Sequence, residues 1–279
     1  MKTTRIIPRL DIKGPNLVKG IHLEGLRVLG KPSDFAKYYY ENGADELMLM
    51  DVVASLYERN SLHDIISETA KNNFIPITVG GGIRSVKDIK NILRAGADKV
   101  CLNTAAIKNP EFIRKASREF GSSTIVVSIE AIKDNDKYQA YTDNGREYTG
   151  LDVFEWAQRI DELGAGELVI TSVDKEGTGK GFDIELISKI NNLVSIPVIA
   201  HGGAGKKEDV IDLVKSSAVN SVMISSMFHY NYIKDNESSV SSLEGNTQFL
   251  KNKMIFKKLN PCSIIDLKNE LNKNNISCR

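Results

Sequence analysis

The sequence I-P-I-T-V-G-G-G-I at residues 75–83 is followed by a helical segment and then by A-D-K-V-C-L-N-T at 97–104. A second version of this unit reads I-P-V-I-A-H-G-G-A-G at 196–205 and V-N-S-V-M-I-S-S at 219–226. In both versions a short apolar strand ends in glycines, a helix follows, and the next strand ends in small hydroxyl or amide residues. Strands that alternate with helices in this way predict a parallel sheet.

The two versions align at functional-type positions about 121 residues apart, and the coinciding pairs are Gly81 with Gly202, Gly82 with Gly203, Asn103 with Ser225, and Thr104 with Ser226. Glycine lets backbone N–H groups approach an anion, and a helix N-terminus adds partial positive charge. A single loop of this kind is weak evidence, because glycine after a strand is usually only a turn. Two matched loops indicate two phosphate sites.

The alternation of strand and helix occurs eight times, and the second half of the chain repeats the plan of the first. Eight units predict a closed (βα)8 TIM barrel, α/β in class, formed as a single domain by residues 1–279. An open doubly wound sheet is the alternative, but it does not explain the half-barrel repeat. Residues 231–259, rich in Asn, Ser, Lys and Glu, break the rhythm and are interpreted as a surface insertion before a last helix over about 263–274.

Local signals refine this plan. Ser33 is expected to cap a helix over about 34–42, and Ser85 and Asp183 are each expected to cap a later helix. Lys19 is expected to lie in a glycine-containing loop after the first strand. Residues 137–148 alternate around Asn144-Gly145, which predicts a β-hairpin.

Composition narrows the class of protein. The 279 residues include 37 basic and 36 acidic ones, and the net charge of +1 argues against a protein that coats nucleic acid. The sequence contains no apolar run of the roughly 20 residues that span a bilayer, and its first residues do not resemble a signal peptide. The odd number of cysteines and the histidine positions match no metal motif, so we expect no metal, no cofactor and reduced thiols in a cytoplasmic protein.

Carboxylates end the equivalent first and fifth strands of the two halves, at Asp11 and Glu130. In a TIM barrel the C-terminal ends of the strands form the active-site rim, so this pair is expected on opposite sides of its mouth. Each carboxylate alone would usually be a solvated cap, but the symmetry favours acid–base chemistry on a doubly phosphorylated substrate. The residues expected on this rim are Asp11, Asp51, Asn103, Glu130, Thr171 and Ser225.

Four charged residues, Arg5, Glu46, Lys99 and Glu167, stand at the starts of strands and therefore at the opposite rim. They are either solvated or paired in a neutral ring that closes the bottom of the barrel, since buried charges are tolerated only when paired. The pattern alone leaves both readings open.

These motifs resemble a known family. The matching stretches cover residues 4–230 and include V-G-G-G-I-R-S, A-G-A-D-K-V, L-G-A-G-E, D-x-E-G-T, I-A-x-G-G-A-G and S-x-F-H. They are similar to the cyclase subunit of imidazole glycerol phosphate synthase, a (βα)8 lyase of histidine biosynthesis. The resemblance implies a heterodimer with a glutaminase that supplies ammonia. It also implies a bis-phosphorylated ribulosyl formimino-aminoimidazole carboxamide ribonucleotide as substrate, and neither nucleic acid nor membrane as a partner.

The resemblance also implies roles by position. Asp11 and Glu130 take the catalytic places, and the remaining substrate-binding positions are Lys19, Asp51, Gly82, Asn103, Thr104, Thr171, Glu176, Gly177, Gly203, Ile224 and Ser225. The family's ammonia gate coincides with Arg5, Glu46, Lys99 and Glu167. The interior beyond that gate is expected to be apolar and to include Leu47, Leu49, Val100 and Leu168.

Four positions depart from the pattern that the resemblance implies. The family usually has Cys at 9, Asp at 130, Asp at 176 and Ser at 201, where this chain has Arg9, Glu130, Glu176 and His201. Clustered changes of this kind suggest altered or compensated chemistry. The alternative function is therefore a paralogue that delivers glutaminase-derived ammonia for sugar amidination in surface-glycan biosynthesis.

Overall fold

A computed structural model describes residues 3–54, 62–236 and 259–279. Within these residues the strands, in chain order, are β1 (Arg5–Lys13), β2 (Asn16–Ile21), β3 (Glu24–Gly30), β4 (Leu47–Asp51), β5 (Ile77–Gly80), β6 (Lys99–Leu102), β7 (Ile125–Asp134), β8 (Lys137–Thr142), β9 (Glu147–Asp152), β10 (Glu167–Ser172), β11 (Val198–His201) and β12 (Ser221–Ile224).

Helices separate the strands, as the alternating pattern predicts. They are α1 (Pro32–Glu41), α2 (His63–Asn72), α3 (Val86–Arg94), α4 (Thr104–Lys108), α5 (Glu111–Phe120), α6 (Val153–Glu162), α7 (Ile184–Leu193), α8 (Lys207–Ser217), α9 (Ser226–Asp235) and α10 (Ile264–Lys273). No helix in the described part of the chain is long and apolar enough to cross a membrane.

Eight strands close into a parallel barrel in the order β1, β4, β5, β6, β7, β10, β11 and β12. The barrel is closed by the pairing of β7 with β10, which runs from Val126 opposite Glu167 to Ala131 opposite Ser172. The (βα)8 fold predicted from the sequence is thus confirmed. Alternate strand residues face the helices and the barrel interior, and the larger apolar core, which contains Phe35 and Ile89, fills the space between strands and helices.

The two halves share a further feature that the sequence only partly revealed. A β-hairpin continues β1 (β2 and β3) and another continues β7 (β8 and β9), so the first and fifth barrel strands carry matching extensions. The second hairpin is the one predicted around Asn144-Gly145, both with positive φ. The expectation of a loop around Lys19 was wrong, because Lys19 pairs with Arg27 in the first hairpin.

The predicted helix caps are present on α3 and α7 but not on α1. Ser85 caps α3 in a capping box with Asp88, and Asp183 caps α7 by accepting a hydrogen bond from the Leu186 amide. Ser33 does not cap α1. The helix begins two residues earlier than predicted, because Pro32 takes the first helical position, where its missing N–H costs nothing.

The first residues of the predicted insertion at 231–259 are helical. Residues up to Asp235 continue α9, and Tyr232 on it packs against Phe35. Residues 237–258 lie outside the described part of the chain. The last helix is present as α10, and Thr4 then pairs with Cys278 beside the start of β1.

Candidate active site

Asp11 lies near the end of β1 and points into the barrel mouth, where it is only 2% exposed. Its Oδ1 lies 2.7 Å from Arg9 Nε, and its Oδ2 lies 3.7 Å from Lys19 Nζ. Burial alone would raise the pKa of Asp11, but the charges of Arg9 and Lys19 outweigh it and hold this pKa below its usual value. Asp11 is therefore a carboxylate at neutral pH and can accept a proton.

Glu130 lies on β7 and is also buried. Its Oε2 accepts a 2.8 Å hydrogen bond from the Gly145 amide in the turn of the second hairpin. Burial raises the pKa of Glu130 to about 7, although the Gly145 amide, the Arg9 charge and Asn103 each act in the opposite direction. A carboxyl group with such a pKa can either donate or accept a proton near neutrality.

The first hairpin closes over the site through Lys19. Lys19 is buried and forms an ion pair with Glu176 in the loop after β10. Two backbone amides strengthen this contact: His22 N donates to Glu176 O at 3.0 Å, and Leu23 N donates to Glu176 Oε2 at 3.3 Å. A Cβ at Gly177 would collide with the Gly20 carbonyl, so glycine is needed for this approach.

We call the group Gly81, Gly82, Asn103 and Thr104 the first cradle. Both glycines have positive φ, at 99° and 68°, which places them in the left-handed region that favours glycine. Asn103 Nδ2 lies 3.5 Å from Tyr141 O, whereas its Oδ1 is buried and has no hydrogen-bond partner within the described residues. This orphaned polar group and the glycine backbone are suited to a polar ligand.

The second cradle consists of Gly177, Gly202, Gly203 and Ser225, with Ser172 beside it. Gly202 and Gly203 have φ of 98° and 113°, so both glycines of this loop also lie at positive φ, as in the first cradle. A Cβ at Gly203 would overlap the Gly181 carbonyl, and Gly181 N donates to Gly203 O at 2.9 Å. The buried hydroxyls of Ser172 and Ser225 have no hydrogen-bond partner in the described structure, and Ser225 is equivalent to Asn103 in the other half.

Thr171 and His201 occupy the wall between the carboxylates. Thr171 Oγ1 lies 3.1 Å from His201 Nδ1, and the same nitrogen lies 3.5 Å from Arg9 Nη1. His201 is buried, and both burial and the charges of Arg9 and Lys19 lower its pKa. It is therefore neutral at physiological pH and adds bulk and one acceptor, not charge.

Asp51 lies beside the first cradle. It ends β4 and packs behind the first cradle, where an added Cβ on Gly81 would collide with its backbone and side chain. Its Oδ1 accepts a hydrogen bond from Val53 N at 3.1 Å. The structure therefore places Asp51 against Gly81 of the first cradle.

The opposite rim carries a closed ring of charges. Arg5 Nη1 lies 2.6 Å from Glu46 Oε1 and 2.7 Å from Glu167 Oε1, and Lys99 Nζ lies 3.0 Å from Glu46 Oε2 and 2.8 Å from Glu167 Oε2. We call these four residues the charge ring. Each cation bridges both anions, so the paired arrangement left open by the sequence is the one observed.

Above the charge ring the barrel interior is apolar, but the residues differ from those expected. Leu47, Leu49, Val100 and Leu168 belong to the core between strands and helices. The prediction was wrong by one residue of strand alternation, because Glu46, Lys99 and Glu167 point inward and their neighbours must point outward. A separate cluster fills the interior, called here the apolar ring: Ile7, Met48, Cys101, Val126, Val169, Ile199 and Met223.

The sequence of this chain matches a family of known proteins. The profile of the histidine biosynthesis protein family matches residues 5–234. The chain belongs to that family. A relative from Legionella pneumophila, named imidazole glycerol phosphate synthase subunit HisF, is 59% identical over 210 residues, covering 75% of this chain and 99% of the relative. Proteins of the same name from Lactococcus lactis subsp. lactis (strain IL1403) and Prochlorococcus marinus (strain AS9601) are each 47% identical over 232 residues, covering 82% of this chain and 90% or 91% of theirs.

Sequence reasoning missed three features of this family member's site. Ser172 was not selected, although a hydroxyl at the end of β10 is a signal of the same kind as Ser225 at the end of β12. Gly145 was read only as a turn residue, but its amide holds Glu130. Arg9 was noted only as a departure, although its spacing of two from Asp11 on one strand predicts that both point inward.

Proposed function

We propose that this chain is the cyclase subunit of imidazole glycerol phosphate synthase. It condenses ammonia with the bis-phosphorylated ribulosyl formimino-aminoimidazole carboxamide ribonucleotide, and releases imidazole glycerol phosphate and aminoimidazole carboxamide ribonucleotide in histidine biosynthesis. The observation that carries the proposal is the pair of matched cradles on one rim, with Asp11 and Glu130 in the mouth between them.

Two cradles suit a substrate with a phosphate at each end. In the first, the backbone of Gly82 and the side chains of Asn103 and Thr104 hold one phosphate. In the second, the backbones of Gly177, Gly203 and Ile224 and the hydroxyl of Ser225 hold the other. Anchoring both ends fixes the middle of the substrate against the carboxylates, and such positioning supplies a large part of catalysis in condensation reactions.

The chemistry at the middle requires both an acid and a base. When ammonia adds to the ribulosyl ketone, the nitrogen must lose protons and the ketone oxygen must gain them before it leaves as water. Asp11, ionised beside Arg9, is suited to remove protons. Glu130, with a pKa near 7, is suited to donate them.

Lys19 and Glu176 act as the closure of the site. The first hairpin contacts the loop after β10 through their ion pair, and this contact covers Asp11. Closure of this kind excludes water from a reactive imine intermediate.

The partner of this reaction is a glutaminase subunit, docked over the rim that bears the charge ring. The relatives are named as subunits, which supports an assembly with another chain. Free ammonia in neutral water is mostly ammonium, which is not a nucleophile, so an enclosed path protects the reactive form. The charge ring and the apolar ring provide such a path, because a small neutral molecule passes apolar side chains more readily than an ion does.

Delivery of ammonia for sugar amidination, the alternative suggested by the four departures, is not favoured, since the named relatives at 46–59% identity are all HisF subunits. The decisive experiment incubates the purified chain with the bis-phosphate substrate and an ammonium salt, without a partner. Both products should form in equal amounts. No turnover under these conditions, with a folded protein, would refute the proposed function.

A further inference from the structure

Arg9 is a buried cation inside the barrel, beside Asp11. It follows Ile7 of the apolar ring on the inward face of β1 and precedes Asp11 on that face. Its side chain is buried. Burial raises the pKa of Cys101 to about 12, and the nearby Arg9 charge acts in the opposite direction. The guanidinium therefore forms the floor of the catalytic cavity, directly above the apolar ring.

The guanidinium is fixed from two sides. Nε donates a 2.7 Å charge-assisted hydrogen bond to Asp11, and Nη1 lies 3.5 Å from His201 Nδ1, the ring nitrogen that Thr171 Oγ1 also contacts. A neutral His201 can accept from the guanidinium through Nδ1. A planar group held at two edges cannot rotate freely, so Arg9 also fixes the orientation of the Asp11 carboxylate.

Glu130 has a different environment. Its contact at 2.8 Å is with the neutral Gly145 amide, and no ion pair to Glu130 occurs among the described residues. Arg9 acts on it only through longer-range charge, and Asp143 in the same turn acts in the opposite direction. Arg9 is thus hydrogen-bonded to Asp11 and not to Glu130.

We propose that Arg9 is a positioning residue that gives the carboxylates Asp11 and Glu130 different roles. By binding Asp11 it keeps that group ionised as the base, and it leaves Glu130 to carry the proton as the acid. The division of roles rests on the proposed function, whereas the effect of Arg9 on Asp11 does not. It accounts for two of the departures together, because Arg9 and His201 are in contact.

Other charged and titratable groups also face Asp11 and Arg9. Asp11 also faces Lys19 from the first hairpin and His229 from α9, and burial lowers the pKa of His229 to about 3, so this ring is neutral. Arg9 also faces Glu176. Removing the Arg9 charge therefore leaves Lys19, shared with Glu176, as the cation beside Asp11, and the Asp11 pKa should rise.

The test combines Arg9→Met, which keeps an unbranched apolar stem and loses the charge, with Arg9→Lys, which keeps the charge. Lys13→Met, at the exposed end of the same strand, is the control for loss of a positive charge. Carboxyl titration by 13C NMR on the substrate-free protein reports Asp11 and Glu130 directly. The turnover number kcat with ammonium salt, measured across pH at constant free ammonia, reports their use.

In the wild type, we expect Glu130 to titrate at higher pH than Asp11. Arg9→Met should raise the pKa of Asp11, move the acid limb of the kcat profile to higher pH and lower kcat by about a hundredfold with little change in KM. Arg9→Lys should restore the pH profile, and Lys13→Met should match wild type. The inference is overturned if Asp11 titrates at or above Glu130 in the wild type, or if Arg9→Met leaves the Asp11 titration unchanged. If wild type titrates as expected but does not turn over, the proposed function fails and the Arg9–Asp11 coupling stands.

Discussion

The amide of Gly145 donates a 2.8 Å hydrogen bond to the carboxylate of Glu130, and this contact does not offset the burial of that carboxylate. The pKa of Glu130 is about 7 in the folded protein against 4.5 for the ordinary side chain. The folded state therefore binds more protons than the unfolded state between these pH values. By linkage, stability from this group falls as pH rises from about 4.5 to about 7, and the cost is fully present above pH 7.

Glu130→Gln removes this cost, since the amide oxygen can still accept from Gly145. We expect Glu130→Gln to unfold at higher temperature than wild type at pH 8, with a gain on the order of 3 kcal/mol at most, and to match wild type near pH 4. Thermal unfolding of both proteins across pH measures the difference. Glu147→Gln, an exposed substitution on β9, should show no such pH dependence. If the stability gained by Glu130→Gln over wild type is no larger at pH 8 than at pH 4, burial does not raise the pKa of Glu130.

Asp11→Asn should reduce turnover with ammonium salt by at least about a hundredfold, because an amide cannot act as base. It should also destabilise the protein, since Arg9 would remain buried without its anion, at a cost of about 3 kcal/mol. Stopped assays and denaturant unfolding measure the two effects. Asp136→Asn, on the exposed turn between β7 and β8, is the matched control. Turnover near the wild-type rate would remove Asp11 from the mechanism.

The sequence predicted the barrel and both cradles because these depend on local signals that occur twice. The end of a strand, the glycine turn and the start of the next helix can each be recognised from the local sequence around Gly82 and Gly203. No knowledge of the rest of the chain is needed. Ser85 and Asp183 were found for the same reason, since a cap contacts a residue only three positions away.

The contacts between elements could not be predicted in this way. Lys19 and Glu176 are 157 positions apart, and only the closed barrel brings the first hairpin onto the loop after β10. The contact between Arg9 and His201 also depends on how β11, β12 and β1 pack side by side. The case of Leu47 is different, because strand alternation alone predicts its place. Glu46 points inward, so its neighbour Leu47 points outward.

Ser225→Ala tests the second cradle. Among the residues that the structure describes, the buried Ser225 hydroxyl has no hydrogen-bond partner, so its removal should not lower the stability of the free protein. With substrate, a hydrogen bond to a charged phosphate is lost, and KM should rise by about tenfold or more. Ser217→Ala is the matched control, because that buried hydroxyl donates to Leu213 O at 2.6 Å and its loss should lower stability without changing KM. An unchanged KM for Ser225→Ala would argue against phosphate binding at this position.

Lys99→Ala tests whether the charge ring controls the passage of ammonia. Lys99 bridges Glu46 and Glu167 at the entrance of the apolar ring, and its removal leaves an opening and two carboxylates with Arg5 as their remaining partner in the ring. Activity with added ammonium salt should remain close to wild type, because the cradles and the carboxylate pair lie at the other rim. In the reconstituted complex with the glutaminase, product formed per glutamate released should fall below the wild-type value, since ammonia can escape at the damaged entrance.

The control for this measurement is Lys71→Ala, on the exposed last turn of α2, which precedes β5 and so faces the rim of the charge ring. It removes the same charge without opening the barrel, and at saturating partner it should leave the ratio of product to glutamate at the wild-type value. If Lys99→Ala and Arg5→Ala also keep that ratio, the charge ring does not control ammonia, and its four ion pairs serve only to close the bottom of the barrel.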